Sequence, residues 1–243
     1  MKPLVVVPTY NEIENVERVV REISGLELDL LIVDDNSPDG TGVRADLIAE
    51  TNPYLHVLHR RGKEGLGPAY VAGFRWALAR EFTHIIEMDA DGSHRIQDLP
   101  KLIERAAAPD EPGLVIGSRW IRGGDVENWP LHRELLSRGA NLYVRGWLGL
   151  RVGDSTAGFR VYRRDVLEAI DLSALSARGY YFQIEMTWRA VEAGARIVEV
   201  PIIFVERREG VSKMGHSIVA EAFLGTARLG LRSRFGRYAE RRL

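Results

Sequence analysis

Along the first half of the chain, short apolar runs alternate with segments whose apolar residues recur every three or four positions. Leu4-Val5-Val6-Val7 is continuous and β-branched, the pattern of a strand covered on both faces. Val16, Val19, Val20 and Ile23 follow at helical spacing, with Asn11 and Glu14 as a capping pair and Gly25 as the stop. The alternation continues with a strand over Leu30–Val33, a helix over Thr41–Glu50 and a strand over Leu55–Leu58. Pro68 to Arg80 predicts a helix with proline in its first turn. His84–Met88 and Leu114–Ile116 supply two more strands around a helix near Leu99–Ala107.

Beyond about Ser118 the pattern changes. A glycine-rich, charged loop over Arg119–Pro130 leads into an amphipathic helix, Leu131–Leu150, carrying Leu135, Leu136, Leu142, Tyr143 and Trp147. A strand-like Gly158–Tyr162, a helix near Gln183–Ala193 and a strand over Arg196–Val205 follow. From about Ser217 the tail is helical in pattern and basic, with Arg228, Arg232, Arg234, Arg237, Arg241 and Arg242 against Glu221 and Glu240. Strands separated by helices of this length predict an α/β fold, a mostly parallel central sheet with helices on both faces and right-handed crossovers. No repeat or linker interrupts it, so a single domain is expected over 1–243, in halves 1–118 and 119–216 with the tail 217–243.

Composition changes this picture mainly by exclusion. A chain of 243 residues, 45% hydrophobic, has enough apolar material for one sizeable core. A formal net charge of -1 offers no global attraction for nucleic acid. With no cysteine there is neither disulfide nor thiolate metal site. His56 and His59 stand three apart in an expected strand and so point to opposite faces, which argues against zinc. No charged segment followed by an apolar core opens the chain, and no run approaches the about 18 apolar residues of a spanning helix. The expectation is a soluble or peripheral protein.

In open α/β sheets ligands bind beyond the carboxyl ends of the strands. There the sequence reads Pro8-Thr9-Tyr10-Asn11-Glu12 after the first strand, Asp34-Asp35-Asn36-Ser37-Pro38-Asp39-Gly40-Thr41 after the second and Asp89-Ala90-Asp91 after the fourth. All three should meet on one rim. A dinucleotide fingerprint is missing, and Gly62–Gly67 lacks the Gly-Lys-Ser/Thr ending of a P-loop, which leaves it as a turn allowing the next helix close approach. Two carboxylates one residue apart can reach one hard cation whose shell is completed by diphosphate oxygens and water, an arrangement that neutralises the leaving group of a nucleotide-sugar. Asp-x-Asp alone is common; Asp34-Asp35 two strands earlier raises its weight. Asp35 is read as contacting a base or ribose, and Asp39 as turn chemistry.

These three clusters resemble the signature of inverting glycosyltransferases. Gly117-Ser118-Arg119, His132 to Asn141, Ser155-Thr156-Ala157-Gly158-Phe159-Arg160, Gly179 to Glu185 and Arg207 to Lys213 narrow the resemblance to the dolichol-phosphate (polyprenol-phosphate) mannose synthases, from Val5 to about Lys213. The resemblance implies a GT-A fold and transfer of mannose from GDP-mannose to a polyprenyl phosphate. By it, Pro8, Tyr10, Glu12, Val33 and Asp35 hold the nucleoside, while Asp89, Ala90 and Asp91 hold Mg²⁺ or Mn²⁺ with the diphosphate. Arg119, Arg133 and Ser137 hold the acceptor phosphate, and Arg207 and Lys213 clamp the donor from a loop. It implies an enzyme peripheral on the cytoplasmic face of a membrane, or docked on a membrane-anchored partner. UDP-glucose as donor and a non-catalytic nucleotide-sugar-binding module are the alternatives. Some relatives carry glutamine where this chain has Ser93, whose hydroxyl or a water would fill that coordination position.

Several features keep more than one reading. The arginines are either phosphate ligands or solvated surface charge, and position at the rim favours Arg119, whose planar fork suits phosphate. Glu185 is read as orienting its neighbours, because a phosphate acceptor is already an oxyanion near neutral pH and needs no base. Apolar residues of the helix 131–150 belong either to the core or to a membrane-facing surface; the basic tail, with Ile218, Phe223 and Leu231, lies on anionic lipid, docks on a partner or is solvated.

Overall fold

The first apolar run forms β1 (Pro3–Thr9), and its alternate side chains explain why the whole run is apolar. Val5 and Val7 enter one core with Val16, Val19, Val20 and Ile23 of α1 (Ile13–Ser24), whereas Leu4 and Val6 enter another with Tyr70, Phe74 and Ala77 of α3 (Leu66–Leu78). Each such side chain, fully removed from water, contributes about 1.5–3 kcal/mol, so both faces of the strand must be covered. The structure, a computed structural model, describes residues 1–175, 179–206 and 222–231.

The remaining elements of the first half are β2 (Asp29–Asp34), α2 (Thr41–Ala49), β3 (Leu55–His59), β4 (His84–Glu87), α4 (Leu99–Ala106) and β5 (Leu114–Ser118). The second half contributes β6 (Asp125–Glu127), α5 (Leu131–Leu148), β7 (Arg160–Arg163), α6 (Arg164–Ala169), α7 (Tyr180–Glu192), β8 (Ile197–Pro201) and β9 (Ile203–Val205). A further helix, α8, covers 222–231. Seven strands make one sheet in the order β3-β2-β1-β4-β7-β5-β8, while β6 and β9 pair separately. All neighbours in the large sheet are parallel except β7, which runs antiparallel to both β4 and β5. The mostly parallel sheet with helices on both faces therefore stands, with one reversed strand inside it. Strand order turns around at β1, which is bonded to β2 on one side and β4 on the other. That is the switch point where a crevice opens.

Several local expectations need correction. Asn11 and Glu14 do not cap α1: the N-cap is Glu12, without a side-chain cap hydrogen bond. The entry to the helix is held instead from the loop after β2. Asn11 N–H donates to Ser37 Oγ (3.1 Å), Glu12 N–H to Thr41 Oγ1 (2.9 Å) and Ile13 N–H to Asp39 Oδ2 (3.1 Å). Arg196–Val205 is not one strand but two, β8 and β9, which separate at Ile202 into different sheets, and the loop 119–130 contains β6. Gly65 (φ +109°) is the N-cap of α3, but the close approach to the sheet occurs further on. A Cβ on Gly73 would lie 2.5 Å from Val6 Cγ1.

On α5, only Asn141, Val144 and Leu148 are buried. Leu131, Leu135 and Leu142 are 69%, 60% and 65% exposed, so the core reading fails for this side of the helix. Tyr143 joins α5 to α8, its hydroxyl donating to Phe223 O (3.2 Å) with the two rings 4.5 Å apart. Among the described residues no helix is long and apolar enough to cross a membrane.

Candidate active site

The loops after β1 and β2 meet through short polar side chains. Thr9 Oγ1 donates to Asp34 Oδ1 (3.2 Å), which also accepts Ser37 Oγ (2.5 Å), while Asp34 Oδ2 accepts Ser37 N–H (3.0 Å). Asp34 is thus the turn's own acceptor. Asp39 is structural as expected, accepting Thr41 N–H (3.0 Å), Thr41 Oγ1 (2.6 Å) and Ile13 N–H. Asp35 is buried and ion-paired with Arg60, which also holds Glu64. Burial pushes the Asp35 carboxyl above its ordinary value, against the attraction of Arg60. Across the same rim, Lys63 Nζ sits 4.0 Å above the Tyr10 ring. Pro8, Tyr10, Glu12, Val33 and Asp35 therefore cluster at the ends of β1 and β2.

The third loop is tied to this cluster by α1. Arg18 Nη2 donates to Ala90 O (3.0 Å) and to Asn15 Oδ1 (3.0 Å). Gly92 (φ +77°) makes room, since a Cβ there would lie 2.9 Å from Arg18 Nη2. Asp89 Oδ1 accepts the Tyr70 hydroxyl (3.2 Å), and Asp89 N–H donates to His94 Nδ1 (3.0 Å). Burial drives the His94 pKa down to about 4, so the ring is neutral and carries its proton on Nε2. Asp91 Oδ1 accepts Ser93 N–H (3.0 Å), and the buried Ser93 hydroxyl has no hydrogen-bond partner among the described residues.

Beyond this loop a pocket opens between the sheet rim, α5, α7 and α8. Asp89, Asp91, Ser93 and His94 line it together with Arg119, Arg133, Ser137 and Thr156, and Trp129, Leu136, Tyr143 and Phe223 add apolar surface. The residues expected to hold metal and those expected to hold the acceptor thus share one pocket, whereas the nucleoside set lies on the adjoining rim. Arg207 and Lys213 fall outside the described residues, as do Ile218, Glu221 and the tail arginines from Arg232 onward.

At the acidic loop the carboxylates of Asp89 and Asp91 and the Ser93 hydroxyl are oxygen donors, while His94 Nδ1 is taken by the Asp89 N–H, a set suited to a hard cation. Among the described residues no three His, Cys, Asp or Glu side chains form a metal cluster. Two carboxylates then leave most of a cation's shell to water and ligand phosphates, as Mg²⁺ prefers, and the unpartnered Ser93 hydroxyl fits beside them.

Arg119 is buried, and its Nε and Nη2 donate in parallel to Asp154 (2.7 Å each). Arg133 pairs with Glu206 and stacks 4.0 Å above Trp129, and its buried Nε has no partner among the described residues. Sequence reasoning missed Asp154, Glu206, Trp129, Tyr70 and Arg18. Asp154 directly precedes Ser155-Thr156, which is the one local signal it had. Glu185 forms an ion pair with Arg189 within α7, lines a different cavity and is absent from this pocket.

The profile of Glycosyl transferase family 2 matches residues 4–171. An undecaprenyl-phosphate mannosyltransferase of Micrococcus luteus is 51% identical over 237 residues, 97% of this chain and 96% of that protein. A polyprenol monophosphomannose synthase of Mycolicibacterium smegmatis is 49% identical over 97% of this chain and 89% of its own length. Among solved structures, glucosyl-3-phosphoglycerate synthase from Mycobacterium tuberculosis, in complex with Mn²⁺, UDP-glucose and glycerol 3-phosphate, superposes with a TM-score of 0.67. It shares 21% identity over 97% of this chain and 80% of its own, a likeness of fold.

Proposed function

The chain belongs to glycosyl transferase family 2, with the polyprenyl-phosphate mannosyltransferases as its close relatives, and from that premise we propose that it transfers mannose from GDP-mannose to a polyprenyl phosphate. The observation that carries this reading is the shared pocket. It brings together carboxylates for a cation and diphosphate, arginines and a serine for a second phosphate, and an apolar wall that includes the partly exposed Leu136 of α5.

In this reading residues 1–118 bind the donor and 119–216 the acceptor. Pro8, Tyr10, Glu12, Val33 and Asp35 receive the nucleoside, with Arg60 sharing Asp35 until the base or ribose arrives. Asp89 and Asp91, steadied by Tyr70, His94 and Ser93, hold Mg²⁺ or Mn²⁺. That ion would neutralise charge on the departing diphosphate. Arg207 and Lys213 are assigned to the donor diphosphate. Arg119, Arg133 and Ser137 orient the acceptor phosphate, which near neutral pH is already an oxyanion because its second pKa is about 6. Its oxygen bonds to the anomeric carbon from the face opposite the diphosphate. The carbon–oxygen bond to the diphosphate breaks, and its electron pair leaves with GDP, inverting the centre. No side chain has to remove a proton, which agrees with the absence of Glu185 from the pocket.

Leu131, Leu135 and Leu142 share one side of α5, with Leu224 of α8 also exposed. They form the surface on which the protein meets the cytoplasmic face of a membrane or a membrane-anchored partner, so that the polyprenyl chain enters from lipid. The test is turnover by purified protein with a short-chain polyprenyl phosphate, GDP-mannose and UDP-glucose side by side. Mannosyl transfer alone is expected. Glucosyl transfer alone would reassign the donor, and no transfer with either would leave a binding module.

A further inference from the structure

Arg119 enters the acceptor reading as a phosphate ligand, yet one edge of its guanidinium is already committed. Nε and the backbone N–H both donate to Asp154 Oδ2 (2.7 and 3.1 Å), and Nη2 donates to Asp154 Oδ1 (2.7 Å) and Thr156 Oγ1 (2.9 Å). The rings of Trp120, Trp129 and Phe204 stand 5.3, 5.4 and 5.4 Å from the guanidinium carbon. Bidentate pairing fixes the plane of the fork, and the rings prevent it from swinging out.

Asp154 is itself fully buried and anchored from two elements. From β8, Glu199 accepts Asp154 N–H (3.0 Å) and Gly153 N–H (2.8 Å). From α5, Asn141 Nδ2 reaches Thr156 Oγ1 (3.2 Å) and Asp154 Oδ1 (3.4 Å). Asn141 Oδ1 in turn accepts Ser155 N–H and Oγ (2.8 and 2.9 Å). The carboxylate therefore has no freedom to follow Arg119; Arg119 must follow it.

We infer that Asp154 is a positioning residue for the acceptor phosphate: it sets the plane and direction of Arg119 before any ligand arrives, while Arg119 itself makes the contact. This rests on the acceptor reading of the pocket. The benefit is preorganisation, because the side-chain freedom a phosphate would otherwise have to freeze is already lost on folding. A carboxylate at this position also keeps the buried guanidinium from standing as an uncompensated charge.

The test is a double-mutant cycle in the full chain, read on acceptor kinetics with a short-chain polyprenyl phosphate and on donor affinity by calorimetry. Asp154→Asn should raise the acceptor KM about tenfold, the loss of one charge-assisted contact, and leave donor Kd unchanged. Arg119→Lys should lose acceptor efficiency by tenfold to about a hundredfold. If Asp154 acts through Arg119, the double variant should match Arg119→Lys within about twofold. Thr156→Val, which removes no buried charge, should move the same parameter less, and it serves if Asp154→Asn does not fold. Losses that multiply, or a normal acceptor KM in Asp154→Asn and in Thr156→Val, would overturn the positioning role. A wild-type protein that accepts no polyprenyl phosphate would instead overturn the acceptor reading, and this inference with it.

Discussion

At the scale of single residues, Arg119 and Arg133, the two arginines proposed to hold the acceptor, are held by carboxylates of different kinds. Asp154 is 0% exposed and rigidly anchored, whereas the Glu206 side chain paired to Arg133 is 32% exposed at the rim. A partly exposed carboxylate competes with phosphate for the same guanidinium. Glu206→Gln should therefore lower the acceptor KM, by up to about fivefold given the modest strength of such pairs, with donor affinity unchanged. A raised KM would mean that Glu206 orients Arg133 as Asp154 orients Arg119. Burial raises the Asp154 pKa, but the attraction and hydrogen bonds of Arg119 prevail and hold it below 3.8. A lowered folded-state pKa contributes stability above the unfolded value that is lost as pH falls through it. The gap in Tm between wild type and Asp154→Asn should thus be widest near neutrality and narrow below pH about 4; a constant gap across melts at pH 3 to 7 would contradict this. In the acidic loop, Asp91→Ala or excess chelator should abolish transfer while circular dichroism stays native, and full activity in chelator would remove the metal from the site.

At the scale of elements, what was legible was what the chain writes locally. Runs such as Leu4–Val7 and Leu30–Val33 demand cover on both faces, and the helical spacing of Val16, Val19, Val20 and Ile23 demands one buried side, so β1, β2 and α1 followed. The cap of α1 did not, because its acceptors Ser37, Asp39 and Thr41 lie 26 to 29 residues away and only the folded rim brings them in. Strand direction was equally hidden: an apolar run is the same read either way, and β7 proved antiparallel. Asp89 and Asp91 announced themselves by spacing, whereas Asp154 became visible only when Arg119 was found on it, 35 positions distant. For α5, apolar periodicity alone did not separate a buried side from an exposed one; exposure did. Replacing Leu135 and Leu142 together by serine should weaken binding to anionic vesicles with little change in Tm, since neither side chain is buried. Unaltered vesicle binding would shift the membrane contact to another surface.

At the scale of the whole molecule, a formal charge of -1 provides no overall pull toward anionic lipid or phosphate. Attraction has to come from local sets such as Arg119 and Arg133, set against the carboxylates of the same pocket. The two halves, residues 1–118 and 119–216, also cannot be separated, and the reversed strand is the reason. Between β4 and β5 the sheet has a gap that only β7 fills, and the other neighbour of β5 is β8. A ribosome that has released residues 1–118 has therefore made β5 but none of its partners, and has left one side of β4 as an open edge. Such edges recruit foreign strands, so the nascent chain stays vulnerable until residues 160–201 emerge and close the sheet from its middle outward. Expressed alone, 1–118 is expected to aggregate or be degraded, and a soluble, cooperatively melting fragment would show that the interior strand is dispensable. A sheet completed late in synthesis also means that the loop carrying Asp89 and Asp91, after β4, and Arg119, after β5, gain their final spacing only once β7 has joined the two strands.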